Sequence, residues 1–243
     1  MELIRFDDVT LGYDGQPVIS HLSFTVNKGD YLCVLGQNGS GKSTMMKALL
    51  GFIQPMRGRI YRAPVLRNAI GYLPQQQPAQ TDFPASVREV VLSGFQNKKG
   101  FIPFYSKAEK DKAAQKMELM GISDLAGRSF KELSGGQKQR AMLARALCAA
   151  DDLLLLDEPV AALDPAASEE LYKIIRSLHE NGMTIVMISH DPDRALFESD
   201  HVLRLGQEML FFGKTEDFDR TAVIRENYRK YMRSKGCGEE EGE

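Results

Sequence analysis

No apolar run in this 243-residue sequence is long enough to cross a membrane: runs such as residues 153–156 and 184–188 fall far short of the about 18 residues that suggest a spanning helix. The N-terminus, Met1-Glu2-Leu3-Ile4-Arg5, lacks the charged start, apolar stretch and cleavage site of a secretory signal, so a soluble chain on the cytoplasmic side is expected. Cysteine is scarce. Cys33, Cys148 and Cys237 are odd in number and widely separated, which excludes a disulfide framework or a close set of metal ligands, and the first two read as buried thiols. Net charge is also small: 31 basic against 33 acidic residues leave −2, without the overall positive field that nonspecific nucleic-acid binding needs. No nucleic-acid partner is expected, although a local basic patch stays open. Length leaves one large domain or two small ones open, with ample chain to bury a core.

What the sequence does contain is organised around Gly36-Gln37-Asn38-Gly39-Ser40-Gly41-Lys42-Ser43-Thr44, which fits the phosphate-binding pattern Gly, four residues, Gly-Lys-Ser/Thr. The apolar residues 31–35 ahead of it predict a strand, and Met45, Met46, Ala48, Leu49 and Leu50 behind it predict a helix. Glycine lets successive amide N–H groups converge on phosphate oxygens at a helix N-terminus. Lys42 would set a positive charge on the β- and γ-phosphates, and the Ser43 hydroxyl suits Mg²⁺, a hard cation. A glycine-rich turn that binds nothing is the alternative.

Taken in order, residues 3–26 predict short antiparallel strands turned at Tyr13-Asp14-Gly15, and Tyr13 could stack on adenine or simply pack. Residues 57–61 and 69–73 predict two more strands, before Pro74-Gln75-Gln76-Gln77-Pro78 interrupts regular structure. Ser86 with Glu89 and Ser106 with Glu109 have capping-box spacing, the second opening a helix with Ala113, Met117 and Met120 that stops at Gly121. Residues 86–132 therefore form a mostly helical lobe. Leu133-Ser134-Gly135-Gly136-Gln137 leads into an alanine-rich helix, a second glycine-permitted start suited to phosphate.

Four leucines, 153–156, predict a strand buried on both faces and ending at Asp157-Glu158-Pro159. Ligands of open α/β sheets sit at the carboxyl ends of strands, so both acids would arrive beside the phosphate loop. Asp157 could hold Mg²⁺ and Glu158 take a proton from attacking water; a helix cap and a solvated charge are the alternatives. Asp164-Pro165 opens a helix with Leu171, Ile174, Ile175 and Leu178 on one face, stopped at Asn181-Gly182. Another buried strand, 184–188, puts His190 at a comparable strand end, from which it could donate to the γ-phosphate; read alone, a histidine there is more often structural. His21, His179 and His201 read as structural. Residues 202–205 and 209–212 predict a hairpin, followed by a helix with Ile224, Tyr228 and Tyr231 on one face and a Glu226–Lys230 pair. The tail, 236–243, carries glycine and acid without apolar content, and disorder is expected.

In this order, from about residue 3 to about residue 219, these segments resemble the ATP-binding subunit of ABC transporters. The resemblance implies a P-loop NTPase core of mainly parallel sheet flanked by helices, with an antiparallel β lobe and a helical subdomain. It divides the chain into an ATP-binding core, 1–72 and 150–235, and a segment, 73–149, of Q-loop, helical subdomain and signature helix. It makes Glu158 the catalytic glutamate, Gln75 the Q-loop glutamine, also near Mg²⁺, His190 the switch histidine, and Tyr13 the adenine platform. It further implies a homodimer, each ATP held between one subunit's phosphate loop, Gly36 to Thr44, and the other's Ser134, Gly135, Gly136, Gln137 and Asp164. Val160-Ala161 departs from the hydroxyl residue many members carry there, which should alter packing more than chemistry. Gln76 and Gln77 compete with Gln75 for the Q-loop assignment.

The run 71–75 continuing into Asp82-Phe83-Pro84-Ala85-Ser86-Val87-Arg88 resembles the zinc and manganese importer branch, in a region that faces the membrane subunit in that family. Import of a divalent transition metal is the expectation, zinc ahead of manganese or iron, through a separate permease and an extracytoplasmic binding protein. The chain would lie peripherally on the cytoplasmic face of the membrane. An importer of another small solute, or a soluble ABC ATPase of iron–sulfur assembly type, is the alternative. Translation-type and repair-type ATPases fit less well, since each motif occurs once and residues 76–132 leave no room for a long coiled coil.

Overall fold

The computed structural model of the chain describes residues 1–67, 69–75, 84–99, 104–161, 163–189 and 191–219. Strand β1 (Glu2–Tyr13) and strand β2 (Gln16–Asn27) form a hairpin turned at Asp14-Gly15, and β4 (Arg57–Arg62) pairs with the other edge of β1, all antiparallel. These two strands are twelve residues each, where the sequence pattern predicts shorter ones. The cause is a register shift between Phe6 and Val9, at which Asp8 turns to a positive φ of 45° and both Asp7 and Asp8 face solvent. A bulge of this kind breaks the period-two alternation without ending the strand. Across it, His21 Nδ1 lies 2.8 Å from Asp8 Oδ1, so His21 belongs to the bulge.

The second sheet has the order β5-β6-β7-β3-β8-β9, with β3 (Tyr31–Gly36), β5 (Ile70–Leu73), β6 (Leu153–Asp157), β7 (Thr184–Ile188) and β8 (His201–Leu205) parallel and β9 (Met209–Lys214) antiparallel at the edge. Alternation along its central strands divides the interior in two, because successive side chains leave opposite faces of a sheet. Leu153, Leu155, Val186, Ile188, Leu32 and Val34 pack with helix α1 (Lys42–Leu49) and the inner face of the antiparallel sheet. Leu154, Leu156, Ile185 and Met187 pack into a second core with helices from the other side. Burial on both faces explains the continuous apolar runs.

That second core is shared by α2 (Val87–Leu92), α4 (Lys107–Leu119), α5 (Gly135–Ala149) and α6 (Pro165–Glu180), with a short α3 (Gln96–Lys99) between the first two. Both predicted capping boxes form, at Ser86/Glu89 and Ser106/Glu109. A third opens α5: Ser134 Oγ accepts from the Gln137 N–H, and the Gln137 carboxamide accepts from the Ser134 N–H at 3.1 Å. Helix α5 lies so close to its neighbours that a side chain at Gly71 or Gly94 would run into the carbonyls of Ala146 and Arg145. On α6, Asp164 caps the N-terminus, Leu171 and Ile175 are buried, and Ile174 and Leu178 pack at the margin of the core. Helix α7 (Pro192–Glu198) follows β7.

Burial pushes both described thiols up, Cys148 to about 11, so neither is a reactive thiolate at neutral pH. His179 Nε2 lies 2.8 Å from the Gly29 carbonyl, and His201 stacks on Phe212. The expected C-terminal helix, the tail with Cys237, Gln76, Gln77, Asp82, Phe83 and His190 lie outside the described residues.

Candidate functional site

Strand β3 ends at Gly36, the chain loops, and α1 begins at Lys42. Gly39 and Gly41 take φ of 81° and 90°, a left-handed region closed to most side chains, and Gly41 caps α1 without any side-chain hydrogen bond. No acid lies in the first turn of α1, so its amide N–H groups and positive dipole end stay available to an anion. Ser40 Oγ is buried and has no hydrogen-bond partner, a polar atom suited to a phosphate oxygen. Lys42 Nζ donates to the carbonyls of Gly36 at 2.6 Å and Gln37 at 2.8 Å. Burial lowers the pKa of this ammonium, while the carboxylates of Glu158 and Asp157 oppose the shift.

Lys42 lines a cavity of about 490 Å³ with Val18, Asn38, Gly39, Gly41, Ser43 and Thr44. Gln75 and Glu158 complete it, from the ends of β5 and β6. Gln75 Nε2 donates to Glu158 Oε2 at 2.8 Å. Glu158 has a left-handed backbone, φ 51°, uncommon for a side chain with a Cβ, and its amide donates to the Ile188 carbonyl at 3.1 Å. Strain of this kind collects where surrounding structure over-determines a functional group. Asp157 is buried at the end of β6 and accepts a hydrogen bond from Tyr72. Burial first, and then the charge and hydrogen bond of Asp157, push the Tyr72 hydroxyl up to about 12.

Other expected residues stand apart. Tyr13, 41% exposed at the end of β1, does not line the cavity; its ring lies 5.5 Å from Lys47 Nζ on the outer face of α1. Ser134, Gly135, Gly136 and Gln137 open α5 at the surface and do not line it either. Asp164 is exposed, and its Oδ1 accepts the Ala167 N–H at 2.9 Å as the cap of α6. Val18 and Tyr72 were missed by sequence reasoning. Tyr72 reaches the site through the pairing of β5 with β6, where it lies beside Leu155, and Val18 through the packing of β2 against Gly41, contacts that leave no local signal in the sequence. Among the described residues no group of His, Cys, Asp and Glu could hold a metal ion by itself, and no helix is long and apolar enough to cross a membrane.

The Gly41 position yields a direct expectation. In Gly41→Ala the new Cβ would lie 3.1 Å from Ile19 Cβ on a backbone with φ 90°, a strain of about 1–2 kcal/mol. The variant is expected to melt about 2–8 °C lower than the wild type by differential scanning calorimetry. Nucleotide binding should weaken in parallel; an unchanged melting temperature and affinity would mean that the loop has freedom the structure does not show.

A glycine-built anion cradle at a strand-to-helix turn, with a lysine inside it and carboxylates arriving at the end of β6, a parallel strand separated from β3 by β7, defines a P-loop ATPase. The sequence model of the ABC transporter family matches residues 19–161. Manganese transport system ATP-binding protein MntB of Bacillus subtilis is 34% identical over 231 residues, 93% of this chain and 92% of its own length. Zinc import ATP-binding protein ZnuC of Marinobacter nauticus is 35% identical over 228 residues, 93% of this chain and 83% of its own. Among solved structures, an ABC transporter assigned to the metal-chelate type, in an inward-facing conformation, superposes with a TM-score of 0.82 at 31% identity, covering 92% of this chain and 88% of that one. The chain belongs to the ABC transporter family, as an ATP-binding cassette that hydrolyses ATP.

Proposed function

We propose that the chain is the ATPase subunit of an importer for a divalent transition metal, zinc first and manganese or iron next. The observation that carries this is the likeness to manganese and zinc transport ATPases over 93% of the chain. A membrane permease would hold the chain peripherally on the cytoplasmic face of the membrane, and an extracytoplasmic binding protein would deliver the metal. Selectivity would then lie in those partners.

In the proposed reaction, the amides of residues 39–44 and the Lys42 ammonium bind the β- and γ-phosphates. Glu158, oriented by Gln75 and by its own strained backbone, accepts the proton of the attacking water. His190, outside the described residues, is assigned to the γ-phosphate. Ser43, Gln75 and Asp157 offer only hard oxygen donors, a set that fits Mg²⁺, which would neutralise charge on the phosphate oxygens. Tyr13 is assigned to the adenine. The exposed start of α5 and Asp164, separate from the cavity of their own chain, are assigned to the ATP of a second copy docked head to tail. The core would be residues 1–72 and 150–235, with 73–149 as the Q-loop, helical and signature segment and 236–243 as a disordered tail.

Two measurements test the transport reading. Pull-down of the tagged chain from detergent-solubilised native membranes should bring an integral membrane protein with it. Deletion of the gene in the native host should lower cell-associated zinc, manganese or iron when that metal is scarce. Normal accumulation of all three, with failed uptake of an organic solute, would overturn the metal assignment and leave the ATPase intact.

A further inference from the structure

Gln139, in the second turn of α5, is a carboxamide with only 3% of its surface exposed. Burying an amide group is unfavourable unless it is hydrogen-bonded, so an apolar side chain would pack there more cheaply. Its Nε2 donates to the carbonyl of Pro159 at 2.5 Å. Proline has no N–H, so this residue has only its carbonyl with which to anchor the backbone. The turn that carries Glu158 is thus pinned twice. On one side the Glu158 N–H binds Ile188 of β7; on the other Gln139 holds Pro159.

Two further contacts join the start of α5 to the segment after Glu158. Arg140 forms an ion pair with Glu170 on α6, and a Cβ at Gly136 would stand 3.7 Å from Ala167 and 4.0 Å from Leu163. The first two turns of α5 and residues 158–170 therefore bear on one another at three levels, of which Gln139 lies nearest to Glu158.

We propose that Gln139 is a positioning residue for ATP hydrolysis: by holding the Pro159 carbonyl it sets the placement of the Glu158 carboxylate and ties it to the helix start at Ser134. This rests on the proposed roles of Glu158 and of the α5 N-terminus. In a head-to-tail dimer those two parts of one chain face different nucleotides, so Gln139 lies on the connection between the two ATP sites.

The test is a double-mutant cycle on the purified full chain, with kcat and KM for ATP measured for wild type, Gln139→Leu, Glu158→Gln and the double variant. Misplacing a reacting group by about 1 Å can cost about 10²-fold in rate, so Gln139→Leu is expected to lower kcat by about 10–10²-fold. Its KM should stay within about twofold, since a lost transition-state contact lowers kcat without weakening ground-state binding. In the Glu158→Gln background the same change should cost less than about twofold, because the group it positions is already gone. Gln139→Met, which keeps the length of the side chain and has no donor for the Pro159 carbonyl, should repeat the pattern and carries the test if the leucine variant fails to fold. An unchanged kcat, or an equal loss in both backgrounds, overturns the proposal. A wild type without turnover, or a Glu158→Gln variant as fast as wild type, would instead sink the reading of Glu158 on which it rests.

Discussion

Glu158→Gln will keep its affinity for ATP and lose turnover by about 10²–10⁴-fold, the contribution typical of a positioned general base. The substitution keeps the shape of the side chain and removes its capacity to take a proton at neutral pH. Neither backbone anchor of the turn is touched, since the Glu158 amide would still donate to Ile188 and Pro159 would still accept from Gln139. The Gln75 contact survives as well, because a glutamine carbonyl oxygen can accept the same N–H that Glu158 Oε2 accepts at 2.8 Å. What changes is chemistry alone. Phosphate release under saturating ATP, beside an equilibrium titration with ATP, separates the two quantities; turnover equal to wild type would remove Glu158 from the base role.

Lys42→Ala should fail in the opposite way, at binding. The ammonium is buried at the floor of the cradle, 2.6 and 2.8 Å from two carbonyls, in a position where phosphate oxygens would compete for it. A hydrogen bond to a charged group contributes about 1.5–3 kcal/mol, so affinity for ATP should fall about 10–150-fold. The variant also leaves the Gly36 and Gln37 carbonyls without that donor, and a modest loss of thermal stability should accompany the loss of affinity. Isothermal titration calorimetry reads the effect; equal affinities would mean that Lys42 lies outside the phosphate cradle.

The phosphate loop was legible because its function is local: three glycines, a lysine and a serine must be consecutive to wrap one anion, and the strand and helix beside them follow ordinary patterning. Helix starts at Ser86, Ser106 and Asp164 were legible for the same reason, since a cap and its acceptor lie within three residues. Ser134 with Gln137 has the same three-residue spacing and forms the same box, with glutamine in place of glutamate. Long-range pairing hid the rest. The length of β1 was concealed by the bulge at Asp8, Tyr72 reaches Asp157 only through the register of β5 on β6, and Val18 reaches the cradle only because β2 packs against Gly41. Tyr13 illustrates the converse: an aromatic assigned to the adenine lies against Lys47, outside the lining of the cavity.

We propose that an ATP site of this chain is completed by a second copy, since the start of α5 does not line the phosphate cradle of its own chain. Sedimentation velocity of Glu158→Gln with MgATP, beside the same protein with ADP, tests it most directly. With ATP the 27.2 kDa chain should sediment as a dimer that persists as long as the nucleotide is uncleaved, and with ADP as a monomer. A chain shown to be saturated with ATP and still sedimenting at 27.2 kDa would contradict the shared site.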